Sequence, residues 1–225
     1  MNRQLSESER AARKAQETAA AAEIGGNLRE LGGWQGQLVF WSCVVFTAAH
    51  LYILNLQPID PWVYRSGHVA FGAAIGFLIF GAHTGKQARR VPWYDWVLIA
   101  LSITCFVYIY VLLDDLLFRA GAAPTQWDMV IGIIGTALIL EITRRSAGLA
   151  LPIIALVFLA YCVAGPLMPG VLYHRGIQID QLFSFVYSME GVFGPTTAVS
   201  STYIILFITF AGFLQASKVG DYFIN

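Results

Sequence analysis

The sequence predicts an all-α polytopic membrane protein with about six transmembrane helices and one interfacial amphipathic helix. Three observations predict it. Of 225 residues, 57% are hydrophobic and 12% charged, whereas a soluble domain carries roughly 45–50% apolar and about 25% charged residues. The apolar residues gather into six runs close to the roughly 20 residues that span a bilayer as a helix. The few basic residues alternate in density between successive connections, as the positive-inside bias of membrane proteins requires.

These features exclude a soluble enzyme, a disordered chain and a nucleic-acid binder. A water-soluble fold of this size leaves about a quarter or more of its chain surface exposed and has no means of hiding so much apolar area. No segment alternates apolar and polar residues over many short strands, so a β-barrel is not expected.

The first 34 residues form a cytoplasmic tail. Residues 1–30 are rich in Ala, Glu and Arg and lack the apolar region and cleavage site of a secretory signal. Their helix-favouring residues predict a helix over residues 7–23, and Gly25, Gly26, Gly32 and Gly33 predict a flexible approach to the membrane. The six spans are expected over residues 38–56, 66–82, 94–113, 127–142, 147–165 and 199–216. Pro58, Pro61 and the stretch from Gly121 to Pro124 punctuate short outer turns. Trp34, Trp62, Trp93, Tyr94, Trp96 and Trp127 lie near span ends, where an aromatic belt is expected.

Between the fifth and sixth spans, Ile179, Leu182, Phe183, Val186 and Met189 recur at helical spacing, opposite Asp180, Gln181, Ser184 and Ser188. This pattern predicts an amphipathic helix with Asp180 as its N-cap. It either lies flat at the outer interface or covers the outer end of the bundle. Gly191, Gly194 and Pro195 end it.

Orientation follows from the basic residues. With the tail inside, eleven of the fourteen Lys and Arg fall on the inner side, and Arg65, Arg119 and Arg175 fall outside. Both ends of the chain are then expected to face the cytoplasm.

Ionisable groups near bilayer depth are the candidate site residues, because they are costly there. Glu141 stands three and four residues before Arg144 and Arg145, a spacing that favours ion pairs on one helix face and an anchor at the interface. Asp114 and Asp115 adjoin the outer end of the third span, either as a paired carboxylate site or as solvated charges. Asp95, in the first turn of its span, is favoured by the helix dipole and neighbours Arg89 and Arg90. His50, His68 and His83 form no HxxxH or ExxH spacing and read as packing residues. Cys43, Cys105 and Cys162 lie in separate apolar runs and read the same way. Gly72xxxGly76 and Ala70xxxAla74 predict a close helix contact on the second span, and Pro152 is tolerated early in the fifth. There is no nucleophile–base set, phosphate loop or metal-ligand spacing, so neither enzymatic activity nor a cofactor is expected.

Several strings, in order, resemble the amino-terminal part of a fused TRAP transporter permease, the tripartite ATP-independent periplasmic transporters, in their four-span/twelve-span TAXI-type form. They are VPWYDWVLIAL (91–101), LEITRR (140–145), GLALPIIALVFLAY (148–161), GPLMPG (165–170), HRG (174–176) and SSTYIILFITFAGFLQASKVGDYFI (200–224). The likeness covers residues 91–225, and the first two spans only by pattern.

The resemblance implies a domain division: residues 1–34 as the tail, 35–146 as a four-span small-subunit-like domain, and 147–225 as the start of the large transport subunit. It implies sodium-coupled import of organic acids at the bacterial inner membrane with a periplasmic substrate-binding protein. Further partners would be the remainder of the large subunit and the lipid bilayer, with no nucleic acid. The family's sodium and substrate motifs have no matching positions, so no binding residue is transferred. The resemblance therefore leads one to expect a fragment, a truncated reading frame or one piece of a split permease, unable to transport alone. The alternative is a non-transporting membrane anchor or assembly subunit.

Overall fold

The computed structural model describes residues 28–82, 90–119 and 123–217. The expected helix over residues 7–23, and His83, Lys86, Arg89, Gly121 and Lys218, lie outside them. Every regular element among the described residues is helical, apart from one antiparallel bridge between Leu28 and Phe80. The fold is thus an all-helical polytopic membrane protein, as its composition requires.

The elements are α1 (Gly33–Asn55), α2 (Pro61–Ile79), α3 (Trp93–Val111), the short α4 (Leu113–Arg119), α5 (Gln126–Ala147), α6 (Ala150–Ala164), α7 (Ile179–Val186) and α8 (Pro195–Ala216). Within α8, Ser200–Ile204 is a π-helical turn. Five segments are long and apolar enough to cross a membrane: α1, α3, α5, α8 and the stretch Ala150–Leu167 that contains α6.

The second predicted span, α2, is 19 residues long and stands outside that set, because it carries Arg65 and His68. It is instead the most enclosed helix, with Trp62, Ala70, Ala73, Ala74, Phe77 and Leu78 all buried. Polar groups at membrane depth are tolerable where protein surrounds them. Its start lies five residues before the predicted boundary. Asp60 accepts hydrogen bonds from the Trp62 and Val63 amides (2.7 and 3.4 Å), and Pro61 occupies the first helical position. The aromatic and charged residues Trp62, Tyr64 and Arg65 hid this turn from a hydropathy reading.

Trp62 also departs from the expected belt. It is buried in the core with Phe77, Ile109, Leu116, Ile131, Tyr187 and Phe193, whereas Trp34, Trp93 and Trp127 are exposed near helix ends.

The segment after α6 covers the bundle end that holds the start of α2 and α5. Two 3-10 turns follow α6, and His174 pins them. Its Nε2 donates to the Tyr161 carbonyl (3.1 Å), and its Nδ1 accepts from the Gly176 amide (3.1 Å). Helix α7 begins at Ile179 with Gln178 as N-cap, so Asp180 falls within the first turn rather than capping it. There its charge still complements the helix dipole.

Helix α7 packs on α5, not flat on an apolar surface, and Ser184 and Ser188 of its expected polar face are buried. The closeness comes from two glycines. A Cβ at Gly132 would stand 2.5 Å from the Phe183 carbonyl oxygen, and one at Gly135 would stand 2.2 Å from the Tyr187 ring. Tyr187 stacks edge-on against Phe193 (4.8 Å), and burial pushes its phenol well above its ordinary pKa. The expected small-residue contact on α2 is made by Gly76, which faces Ile142 of α5; nothing lies within 4 Å of a Cβ at Gly72.

This contrast yields a prediction. Gly135→Ala forces the Tyr187 ring aside and is expected to cost about 1–3 kcal/mol, the usual penalty of overpacking. Gly72→Ala, in open space, is expected to change stability by less than about 1 kcal/mol. Unfolding midpoints of the two variants in the same detergent or nanodisc check the difference.

Candidate functional site

Three polar assemblies lie inside the bundle. The first gathers three of the five sequence-predicted site residues at the end where α2 and α5 finish and α3 begins. Glu141 is bound by both arginines of its own helix, as the i+3 and i+4 spacing predicts. Arg144 Nε and Arg145 Nε each stand 2.7 Å from its carboxylate.

The network then extends to residues the spacing could not reveal. Arg145 Nη1 donates to Asp95 at 2.8 Å, and Arg29 pairs with the other oxygen of the same carboxylate. The side chains of Asp95, Arg29 and Arg145 are each no more than 2% exposed. Asp95 is thus held by Arg29 and Arg145, and Arg90, one of its expected neighbours, is exposed. Arg29, placed by sequence in a loose tail, is buried.

The same three arginines close the carboxyl end of α2. Arg29 Nη1 donates to the Phe77 and Leu78 carbonyls (2.8 and 3.2 Å), Arg145 to Phe80 (3.3 Å) and Arg144 to Ala82 (3.2 Å). The last carbonyls of a helix lack intrahelical partners and carry its negative dipole end, so cations are favoured there. Asp95, in the first turn of α3, meets the positive end of that same helix. Arg145 also stacks over the Phe77 ring at 5.1 Å. These contacts join α2, α3, α5 and the segment before α1.

The second assembly stands at the opposite end. Thr125 and Asp128 form a reciprocal capping box at the start of α5. Asp128 further accepts from Tyr108 (2.6 Å) and Arg119 (2.9 Å). The hydrogen bond to Asp128 raises the Arg119 guanidinium pKa above its ordinary value. The predicted pair Asp114 and Asp115 is exposed, and among the described residues Asp115 pairs with Arg119, at 3.7 Å. These two exposed carboxylates therefore stand at the far end from Glu141.

The third assembly joins α1, α2 and α8. His50 Nε2 is 2.9 Å from His68 Nδ1, His50 Nδ1 is 2.7 Å from the Phe46 carbonyl, and His68 Nε2 is 3.2 Å from Ser200 Oγ. Sequence spacing hid this pair because its members, 18 residues apart, come from separate helices. Beside it, Tyr64 donates to the Ser201 carbonyl inside the π-helical turn, and Arg65 donates to the Phe193 carbonyl at 3.0 Å. The histidines border an apolar cavity of about 570 Å³ between α1, α2 and α3, whose walls include Trp41, Val45, Phe71, Ile99 and Phe106.

Among the described residues no group of three or more His, Cys, Asp or Glu is placed to hold a metal ion. Cys105 is buried, Cys162 half-buried and Cys43 exposed, with no disulfide among them. Chemically, the first two assemblies tie helix ends together, while the third sets two imidazoles, groups that can both donate and accept hydrogen, in one hydrogen-bonded chain. Comparison with protein-family models, with curated proteins and with solved structures finds no match to this chain.

Proposed function

We propose that this chain is a membrane-embedded scaffold component of a TRAP-type secondary importer of organic acids. On this reading it works with a periplasmic substrate-binding protein and a sodium gradient in a bacterial inner membrane. The resemblance of six ordered strings between residues 91 and 225 carries the assignment. The arginine-rich end would face the cytoplasm, in keeping with the excess of Lys and Arg on that side.

The arrangement of charge supports a scaffold role. Asp95, Glu141 and their three arginines hold α2, α3 and α5 as one body by contacts that need no ligand. Helix α6 buries only Pro152, and α8 buries only Ser201, so both present long apolar faces to lipid or to further membrane segments. A non-transporting anchor or assembly subunit is favoured by one observation: the charged network at the α2–α3–α5 end is directed at its own members and at helix carbonyls.

The two readings separate in one experiment. The complex is purified from its native membrane through a tag on this chain and reconstituted with its periplasmic binding protein. Uptake of labelled organic acids is then followed with and without a sodium gradient. Uptake that needs both sodium and the binding protein is the expected result. Uptake that needs neither overturns the TRAP reading, and a stable complex without any uptake favours the anchor.

A further inference from the structure

We propose that His50 and His68 together bind a single proton, and that this proton reverses the hydrogen bond from His68 to Ser200 at the π-helical turn of α8. The inference follows from which atoms can donate. A carbonyl only accepts, so the 2.7 Å contact with Phe46 requires His50 Nδ1 to carry hydrogen. In neutral His50 the remaining nitrogen, Nε2, is then an acceptor. Its 2.9 Å contact therefore requires hydrogen on His68 Nδ1. Neutral His68 in turn has a bare Nε2, which accepts from the Ser200 hydroxyl at 3.2 Å. The neutral chain has one direction only, running from Ser200 through His68 and His50 to the Phe46 carbonyl.

One added proton has two places to rest, and both give the same outcome at Ser200. If His68 takes the charge, both its nitrogens carry hydrogen and Nε2 donates to Ser200. If His50 takes it, His50 Nε2 donates to His68 Nδ1, and the hydrogen of neutral His68 moves to Nε2, again donating to Ser200. A second proton would set two N–H groups against each other across 2.9 Å. The pair is therefore a one-proton site.

The surroundings keep the site simple. Helix α1 is uncharged, with Cys43 and Tyr52 exposed, and Tyr52 donates to Gln57. From α2 come Tyr64, bound to the Ser201 carbonyl, and Arg65, bound to the Phe193 carbonyl. Helix α8 contributes Ser200, and α3 lines the adjoining cavity with Trp96, Ile99, Ile103 and Phe106. No carboxylate lines that cavity. Ser200 opens the π-helical turn, and once it becomes an acceptor its own hydrogen is left for a carbonyl of the preceding helical turn. Such single-turn π segments are frequent at functional sites. Proton uptake thereby alters the hydrogen bonding that joins α8 to α2. The inference stands whichever assembly the chain serves.

The test is nitrogen NMR of the full chain, labelled with ¹⁵N-histidine and held in lipid nanodiscs, from pH 3 to pH 8. The expected result is a single proton taken up by the pair, with His50 Nδ1 protonated throughout and His68 Nε2 passing from bare acceptor to N–H. A second proton on the pair, a bare His50 Nδ1 or an unchanging His68 Nε2 overturns the proposal. Ser200→Ala should retain the one-proton step with proton affinity lowered about fivefold, because charge-assisted hydrogen bonds are the stronger ones. Thr209→Ala, which removes a hydroxyl bonded to Ile205 further along the same helix, is the matched control and should leave the midpoint in place. Equal midpoints in the two variants would remove the link to α8.

Discussion

Replacing Asp95 with asparagine is expected to lower the stability of the folded chain by about 3–5 kcal/mol, the cost of removing one partner from a buried ion pair. The size follows from burial. Asp95 is fully enclosed between Arg29 and Arg145, whose own side chains are 2% exposed, so neither guanidinium can recover its lost partner from water. Asparagine keeps the shape and leaves two cations facing a neutral amide, while the α2 carbonyls they also contact carry only partial charge.

Glu141→Gln is the informative comparison. Its carboxylate is 29% exposed and Arg144 is 34% exposed, so solvent takes over part of the interaction and the expected loss is about 1 kcal/mol. Denaturant titration of both variants in the same nanodisc measures the two losses. An Asp95→Asn loss below about 1 kcal/mol would show that the network does not hold the bundle.

Asp128→Ala should cost about 2–3 kcal/mol, from a carboxylate that accepts several charged or capping hydrogen bonds at once. It accepts from the Thr125 amide (2.8 Å) and hydroxyl (2.7 Å), from the Tyr108 hydroxyl (2.6 Å) and from Arg119 (2.9 Å). The loss is smaller than at Asp95 because Arg119 is 24% exposed and rehydrates when its partner goes. The damage should also be local. Amide hydrogen exchange is expected to quicken at α4 and the first turn of α5, and to stay unchanged at the Asp95 end. Uniform quickening at both ends would mean that Asp128 supports the bundle as a whole.

The spans were readable because hydropathy is a local property, averaged over one helix. Their edges were less readable wherever capping or burial, rather than lipid, decided them. Helix α2 starts at Pro61 because Asp60 caps it, and α5 continues to Ala147 because Arg144 and Arg145 are paired with Glu141 instead of marking a water-exposed end. The same distinction separates the aromatic residues. Trp93 and Trp127 stand at the periphery as amphipathic rings do, while Trp62 is enclosed because α7 and the following turns fold over it.

Within the candidate site, the Glu141–Arg144–Arg145 triad was legible because three- and four-residue spacing fixes contact along one helix. Asp95 was recognised for its position in the first turn, though not for its partners. Arg29 and Arg145 are 66 and 50 residues from it, and no periodicity within a helix reports such a distance. His50 and His68, read singly, are packing residues; read together they form a donor–acceptor chain with a defined direction.

By itself, then, the sequence determined that this chain is helical and membrane-embedded, where its helices run, and where basic residues concentrate, because each depends on composition along a single segment. Only the tertiary structure decided which charges pair, that α7 packs into the glycine face of α5, and that two distant histidines share a hydrogen bond. Those outcomes depend on distances between helices, and helix–helix distances are set by how side chains of different segments interlock.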